Sequence, residues 1–385
     1  MNTSVVITPT NPPKTGLNRI YFLDNLRATI IIIVVLFHSA IPYMIHAPND
    51  WYVISAQKNI IFDIFVAIND VYMMPIMFLA AGYFALPSLR RKSFSSFWID
   101  KTRRLIIPWI FGVIFLQPVI KYFRYLSRDN ADMDLQTYLH LSFLGGSVSQ
   151  GHFWFLGALA LVFFGLSLLF LWKRPLFQQQ SAKIKQPSAL LFIVFGIITS
   201  LGFFVVSIIS PDHTWEYIFS IVLVQPTRFV LYVCYFALGL YAYQNLWFTA
   251  QGYRPRLKTW LFPAIMCVVV FLLFKVTYPV STTLWVKLAN GFIHAFCCLC
   301  LVFALLGFFE KYLNFTSNLW DKLVANSFAF YFVHELFVVA LGYLTINWSM
   351  PLSLKYLNVA ILSIIISYVL CEHGIRRVSF LRKFF

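Results

Sequence analysis

The sequence predicts an all-α, polytopic integral membrane protein of about ten transmembrane helices, with both termini in the cytoplasm. Three observations carry this. Hydrophobic residues make up 60% of the 385 and charged residues only 11%, where a soluble domain carries about 25% charge. A chain so poor in charge lacks the side chains to cover a water-facing surface. Apolar runs of about 18–25 residues recur along the chain, the length that crosses a hydrocarbon core of ~30 Å at a rise of ~1.5 Å per residue. The basic residues behind the formal charge of +16 gather in alternate links, as cytoplasmic loops do.

The runs cover residues 26–45, 60–86, 105–123, 153–172, 190–209, 217–243, 261–278, 284–309, 324–344 and 354–371. A polar link, 46–58, carries Trp51 and Tyr52 at its interface, and a short amphipathic piece, 94–100, precedes the third run. Links on one side hold Lys14, Arg19, Arg90, Arg91, Lys92, Lys101, Arg103, Arg104, Arg174, Lys183, Arg254, Arg256, Lys258, Lys311 and Lys322. Links on the other hold Lys58, Arg124, Arg128, Lys355 and the aspartates Asp129, Asp132 and Asp134. Residues 1–18, with Pro12 and Pro13, read as a disordered cytoplasmic arm, and 19–385 as a single transmembrane domain. His38 inside the first run and the poor cleavage site at Ser39-Ala40 argue for an uncleaved first span over a signal peptide. No internal repeat of the kind that builds two-half transporters stands out.

Composition also excludes. The positive charge lies in short clusters between apolar runs, without a nucleic-acid-binding motif, so no nucleic acid partner is expected. The six cysteines lie in or beside apolar runs without a zinc-like CxxC spacing, and no metal is expected. Walker loops, dinucleotide glycine patterns and HExxH are absent.

A small polar inventory remains within or at the ends of spans: Asp24, Arg27, His38, Asp63, Asp70, His152, Arg228, His294, His334, Glu335, Glu372 and His373. Ionisable groups in a membrane are costly and normally face a protein interior or wet cavity. His38 lies ~16 Å along a helix from Arg27 and has the chemistry of a general base near neutral pH. Glu335 or Glu372 could orient it; the structural alternative is a histidine bonded to a neighbouring helix's backbone. Arg27, Lys101 and Arg104 suit the phosphates of a cytoplasmic ligand, or else act with Arg103 as topology determinants at lipid headgroups. His152-Phe153-Trp154-Phe155-Leu156 opens the fourth span, where an aromatic belt explains Trp154 better than His152. Adjacent His334 and Glu335 point to a cavity. His213 and Asp212 lie in a link and read as solvated.

These motifs together resemble the membrane acyltransferase-3 family. Tyr21-Phe22-Leu23-Asp24-Asn25-Leu26-Arg27 followed by His38 is similar to the family's opening helix, which pairs an arginine with a histidine. Phe78-Leu79-Ala80-Ala81-Gly82-Tyr83-Phe84 resembles its second-helix signature, with Ala81 where serine is usual. Lys101-Thr102-Arg103-Arg104 stands where the family has an arginine pair, the first replaced here by lysine. The segments 152–156 and 326–334 resemble its fourth-helix and late-helix motifs, and the ending from Glu372 onward is closest to the branch that succinylates periplasmic glucans.

The resemblance implies a multi-pass O-acyltransferase of the bacterial inner membrane. It would move an acetyl or succinyl group from cytoplasmic acyl-CoA (acetyl-CoA or succinyl-CoA) to a hydroxyl of a cell-envelope glycan. Arg27, Lys101 and Arg104 would hold CoA, and Asp24, His152, Trp154 and His334 would contact substrate. His38, with Glu335 or Glu372, would activate the acceptor hydroxyl or carry the acyl group. The competing readings are a secondary transporter using Arg27, Arg228 and Glu335, and a non-catalytic conduit for acyl groups.

Overall fold

A computed structural model of the chain describes residues 19–128, 133–144, 149–173, 177, 185–279 and 283–385. The expected N-terminal arm and the link residues Asp129, Asp132, Arg174 and Lys183 lie outside them. The described chain is all-α but for one small hairpin. Its helices are α1 (Tyr21–Ala40), α2 (Ile60–Arg91), α3 (Phe94–Arg128), α4 (Leu135–Leu144), α5 (Trp154–Trp172) and α6 (Ala189–Ile209). After the hairpin come α7 (Pro226–Gln244), α8 (Leu257–Thr277), α9 (Leu284–Tyr312), α10 (Asn318–Thr345) and α11 (Leu352–Val369). Among the described residues, nine helical runs are long and apolar enough to cross a membrane. The tenth long helix, α7, is less apolar because it carries Arg228 and four tyrosines. The protein is a polytopic membrane protein.

Two runs differ from their sequence reading. The piece 94–100 is not separate: Ser93 caps it through the Ser96 amide, and it continues into the third span. Two π-helical turns, Thr102–Ile106 and Gly112–Leu116, interrupt that helix, each ending two residues before a proline, Pro108 or Pro118. A proline has no N–H for the carbonyl one turn back, and the widened turn accommodates the missing bond. The sixth run begins not as helix but as an antiparallel hairpin, β1 (Glu216–Ile218) and β2 (Val222–Val224). Phe219 and Ser220 turn it at positive φ, and Pro226, in the first turn of α7, sets the helix start.

Burial separates inner from outer helices. Within its most apolar window α9 is 67% buried and α1 61%, while α8 is only 11% buried. The open faces of α6 and α8 display Ile198, Ile209, Phe262 and Val276, as lipid-facing surfaces should. Helix α1 packs against α2, α9, α10 and α11, so residues along it face protein on several sides. Helices α2 and α7 approach closely because both carry glycine at the contact: a Cβ on Gly82 would lie 2.1 Å from the Phe236 carbonyl oxygen, and one on Gly239 2.1 Å from that of Leu79.

The two ends of the bundle differ. At the basic end, Arg19 pairs with Asp321 at 2.7 Å and Arg254 with Glu310 at 3.0 Å. There Asn25 Nδ2 ties α1 to the α9–α10 link by donating to the Leu313 and Phe315 carbonyls. At the opposite end, Asp63 accepts from the amides of Ile45 and His46 at 2.8 and 2.9 Å. The link there does not stay at an interface: Tyr52 and Val53 are buried, and Tyr52 accepts from Gln117 Nε2 at 2.7 Å. The link thus folds inward over the end of α1.

Candidate active site

Helix α1 ends two residues past His38, which places the imidazole in its last turn, nearer the end opposite the basic face. His38 Nδ1 lies 3.0 Å from His334 Nε2 on α10, with the two ring planes 6° apart. Trp51, from the infolded link, covers the His38 ring at 5.4 Å between centroids. His334 Nδ1 is 2.6 Å from the Tyr331 carbonyl. A carbonyl only accepts, so Nδ1 of His334 carries the hydrogen and its neutral Nε2 offers a lone pair. His38 therefore donates from Nδ1, and its own lone pair resides on Nε2. His334 fixes the tautomer of His38.

Glu335 follows His334 in sequence, but adjacent helical side chains diverge, and its carboxylate turns to His152. The Glu335 carboxylate meets His152 Nδ1 in a close contact, with the His152 amide at 3.4 Å. His152 Nε2 faces the Phe332 carbonyl at 3.3 Å, and the Tyr331 hydroxyl donates to the His152 carbonyl. Both side chains are almost wholly buried, at 3% and 2% exposure, so the carboxylate survives burial only through this pairing. The His152 and His334 rings meet edge to face at 5.0 Å, giving one continuous layer of His38, His334, His152 and Glu335.

Local sequence explains the position of His152. Gly151 adopts φ +46°, open to glycine, and a Cβ there would collide with Gln117. Gln150 anchors the turn to the hairpin, donating to the Ile221 carbonyl at 2.6 Å and accepting from the Leu223 amide at 3.2 Å.

The remaining candidates divide by location. At the basic end, Asp24 pairs with Arg19 at 3.1 Å and with Arg27 at 3.7 Å, which leaves the Arg27 guanidinium 40% exposed. Lys101 holds its ammonium 3.8 Å above the Phe163 ring, within electrostatic reach of Arg27 and Arg104. Arg104 is largely exposed beside Asp100. Glu372 is not brought to His38; it accepts from Asn326 at 2.7 Å and Arg376 at 3.0 Å. Trp154 stands two residues past His152 and stacks on Tyr232. Among the described residues, no group of three or more His, Cys, Asp or Glu is arranged to hold a metal ion.

A family model described as an acyltransferase domain, acyltransferase-3, matches residues 20–372. The chain belongs to the acyltransferase-3 family. The match spans Arg27, His38, Lys101, Arg104, His152, His334 and Glu335 alike. Glucans biosynthesis protein C of Salmonella schwarzengrund, Salmonella heidelberg and Salmonella typhi is 24% identical to this acyltransferase-3 chain over 234 residues, 58% of either sequence. The chain thus covers 58% of the length of these curated relatives. No solved structure matches it.

The structure also corrects the reading of Asp212 in this acyltransferase-3 chain. Asp212 is not solvated: its side chain is 8% exposed and pairs with Arg228 at 3.2 Å and Lys275 at 3.3 Å. Burial opposes its ionisation, but Arg228, His213 and Lys275 hold the carboxylate well below the usual aspartate value. Sequence reasoning also missed Trp51 and Tyr331 as site residues. Trp51 reads as an interfacial anchor, and only the folding of its link over α1 brings it to His38. Tyr331 falls within the late-helix segment 326–334, and its hydroxyl and carbonyl bind His152 and His334.

Proposed function

We propose that this protein is a membrane O-acyltransferase of the bacterial inner membrane, moving an acetyl or succinyl group from acyl-CoA to a hydroxyl of an envelope glycan. The observation that carries the reading is the tautomer lock, which leaves His38 Nε2 as an unprotonated base in a protected setting. His38 Nε2 removes the proton from the acceptor hydroxyl as the oxygen attacks the thioester carbonyl. The acyl–oxygen bond forms, the acyl–sulfur bond breaks, and the departing thiolate takes the proton back from the imidazolium. His334 holds the ring through this cycle, and the nearby Glu335 carboxylate favours the transient positive charge. A direct transfer of this kind needs no acylated histidine.

The basic end suits the donor. Arg27, positioned by Asp24, and the neighbouring Lys101 and Arg104 present cations to CoA phosphates, on the side that the positive-inside rule assigns to the cytoplasm. The ~16 Å along α1 between Arg27 and His38 is a span that the pantetheine arm of CoA can cover. The curated relatives are named for glucan biosynthesis, which supports a glucan acceptor at the opposite end.

The test is transfer by purified protein in detergent from acetyl-CoA and succinyl-CoA to a glucan, read as a mass increase of the glycan, with His38→Ala alongside. Transfer by the wild type with the variant inert is expected. Undiminished transfer by a folded His38→Ala protein removes the histidine from the reaction. Thermal shifts with acetyl-CoA, succinyl-CoA and free CoA identify the donor, because a ligand that binds the folded state stabilises it.

A further inference from the structure

Outside the histidine layer, the bundle buries a second set of charges at the same end. Arg228, 2% exposed in the first turn of α7, donates from Nε to Asp212 at 3.2 Å, and one terminal nitrogen lies 3.2 Å from Asp70 Oδ2 and 3.0 Å from His294 Nε2. Asp212 also accepts from Asn290 Nδ2 at 3.3 Å and is balanced by Lys275. These groups hold one another, and a purely architectural ion network would end there. Asp70 differs. Its side chain remains 35% exposed although its partner Arg228 is buried, so a buried cation holds a carboxylate that is itself still accessible.

An aromatic wall leads from this carboxylate to the histidines. One turn along α7 from Arg228, Tyr232 stacks on Phe78 at 5.0 Å and on Trp154 at 5.8 Å. Trp215, 39% exposed and three residues past Asp212, meets Trp154 edge to face at 5.4 Å. Trp154 in turn follows His152 by two residues. Indole faces pack against the C–H faces of sugar rings, and a carboxylate accepts from paired hydroxyls. A carboxylate beside indole faces disfavours an anionic ligand and matches a neutral sugar, whose ring offers both an apolar face and paired hydroxyl donors.

We propose that Asp70, held by Arg228, and the Trp154–Trp215 wall bind a neutral sugar unit of the acceptor glycan, distinct from the unit whose hydroxyl meets His38. Arg228 acts here as a positioning residue. The word acceptor rests on the acyl-transfer reading; the binding itself does not.

The full chain, purified in a detergent without a sugar headgroup, is titrated with a glucose pentaose while tryptophan fluorescence is followed. Saturable quenching is expected for the wild type. Asp70→Asn and Trp215→Ala each weaken binding by about tenfold or more, and Asp70→Glu restores part of the loss. Asp70→Asn leaves Arg228 paired with Asp212, and Trp215 lies at the surface, so both variants are expected to fold, with melting temperature as the check. No saturable binding by the wild type, or equal affinity in wild type and both variants, overturns the proposal. Binding that is sensitive to Asp70 without any acyl transfer to the pentaose leaves the subsite standing and removes the transferase reading instead.

Discussion

His38 Nδ1 and His334 Nε2 lie 3.0 Å apart, and the other ring nitrogen of His334 is already committed to the Tyr331 carbonyl. The relay runs one way. The backbone of α10 sets the tautomer of His334, His334 sets that of His38, and the lone pair emerges on His38 Nε2.

Substituting His334 is therefore expected to damage turnover more than binding. His334→Ala is expected to lower kcat by about 10²-fold or more, the scale of a misplaced general base, with a smaller change in KM for acyl-CoA. His334→Gln, whose amide can also accept from His38, should retain more activity than alanine. Steady-state kinetics on the three proteins check this, and equal kcat in all three would show that the relay has no catalytic role.

The His152–Glu335 pair predicts strong coupling. Removing either partner alone leaves a buried polar group unmatched, at a cost of about 3–5 kcal/mol when a charge is stranded. His152→Leu, Glu335→Leu and the double variant form a cycle in which the double is expected to be more stable than the sum of the singles by at least ~1 kcal/mol. Additive losses in denaturation would contradict the contact.

Asp212 sets an acid limit on stability. Its carboxylate is held well below the ordinary value of 3.8 by Arg228, His213 and Lys275 against the opposing effect of burial. A depressed folded-state pKa contributes stability that is fully present above the unfolded value and lost as pH falls through the folded one. Asp212→Asn should lower the melting temperature clearly at pH 7, and the gap to wild type should narrow as pH drops below 3.8. A gap that stays constant as pH falls well below 3.8 would show that its charge contributes nothing.

Packing predicts opposite outcomes for two glycines, Gly82 at the α2–α7 contact and Gly165 on α5. Gly82→Ala drives a methyl to within 2.1 Å of the Phe236 carbonyl oxygen, and overpacking of this kind costs about 1–3 kcal/mol. It also separates Asp70 from Arg228, which the same two helices carry. Gly165→Ala, with nothing within 4 Å of its Cβ, should be neutral or stabilising by up to about 1 kcal/mol, as alanine restricts the unfolded chain. Thermal melts of both variants in detergent distinguish the two.

Much of the architecture is legible in the residues because the bilayer imposes one-dimensional rules. An apolar run of sufficient length is a helix, since only a helix satisfies its backbone within hydrocarbon. The ten runs accordingly reappear as long helices, with errors at the piece 94–100, which joins the third helix, and at the hairpin before Pro226. The rarity of charge in such runs likewise singles out His38, His152, Arg228, His334 and Glu335 before any coordinates. Their partners are another matter. Glu335 and Glu372 are equivalent carboxylates in the sequence, and Asp212 looks like any loop aspartate.

By itself the sequence determined the membrane class, the course of the helices and the short roster of polar side chains that a bilayer tolerates only with a purpose. The tertiary structure alone decided that Glu335 serves His152 and not His38, that His334 governs the His38 tautomer, that Trp51 closes over the ring and that Asp212 is buried. The physical reason is range. Hydropathy acts on each residue wherever it stands in the chain, whereas a hydrogen bond requires atoms about 3 Å apart, and residues 296 positions apart such as His38 and His334 meet only because the helices between them pack in one particular way.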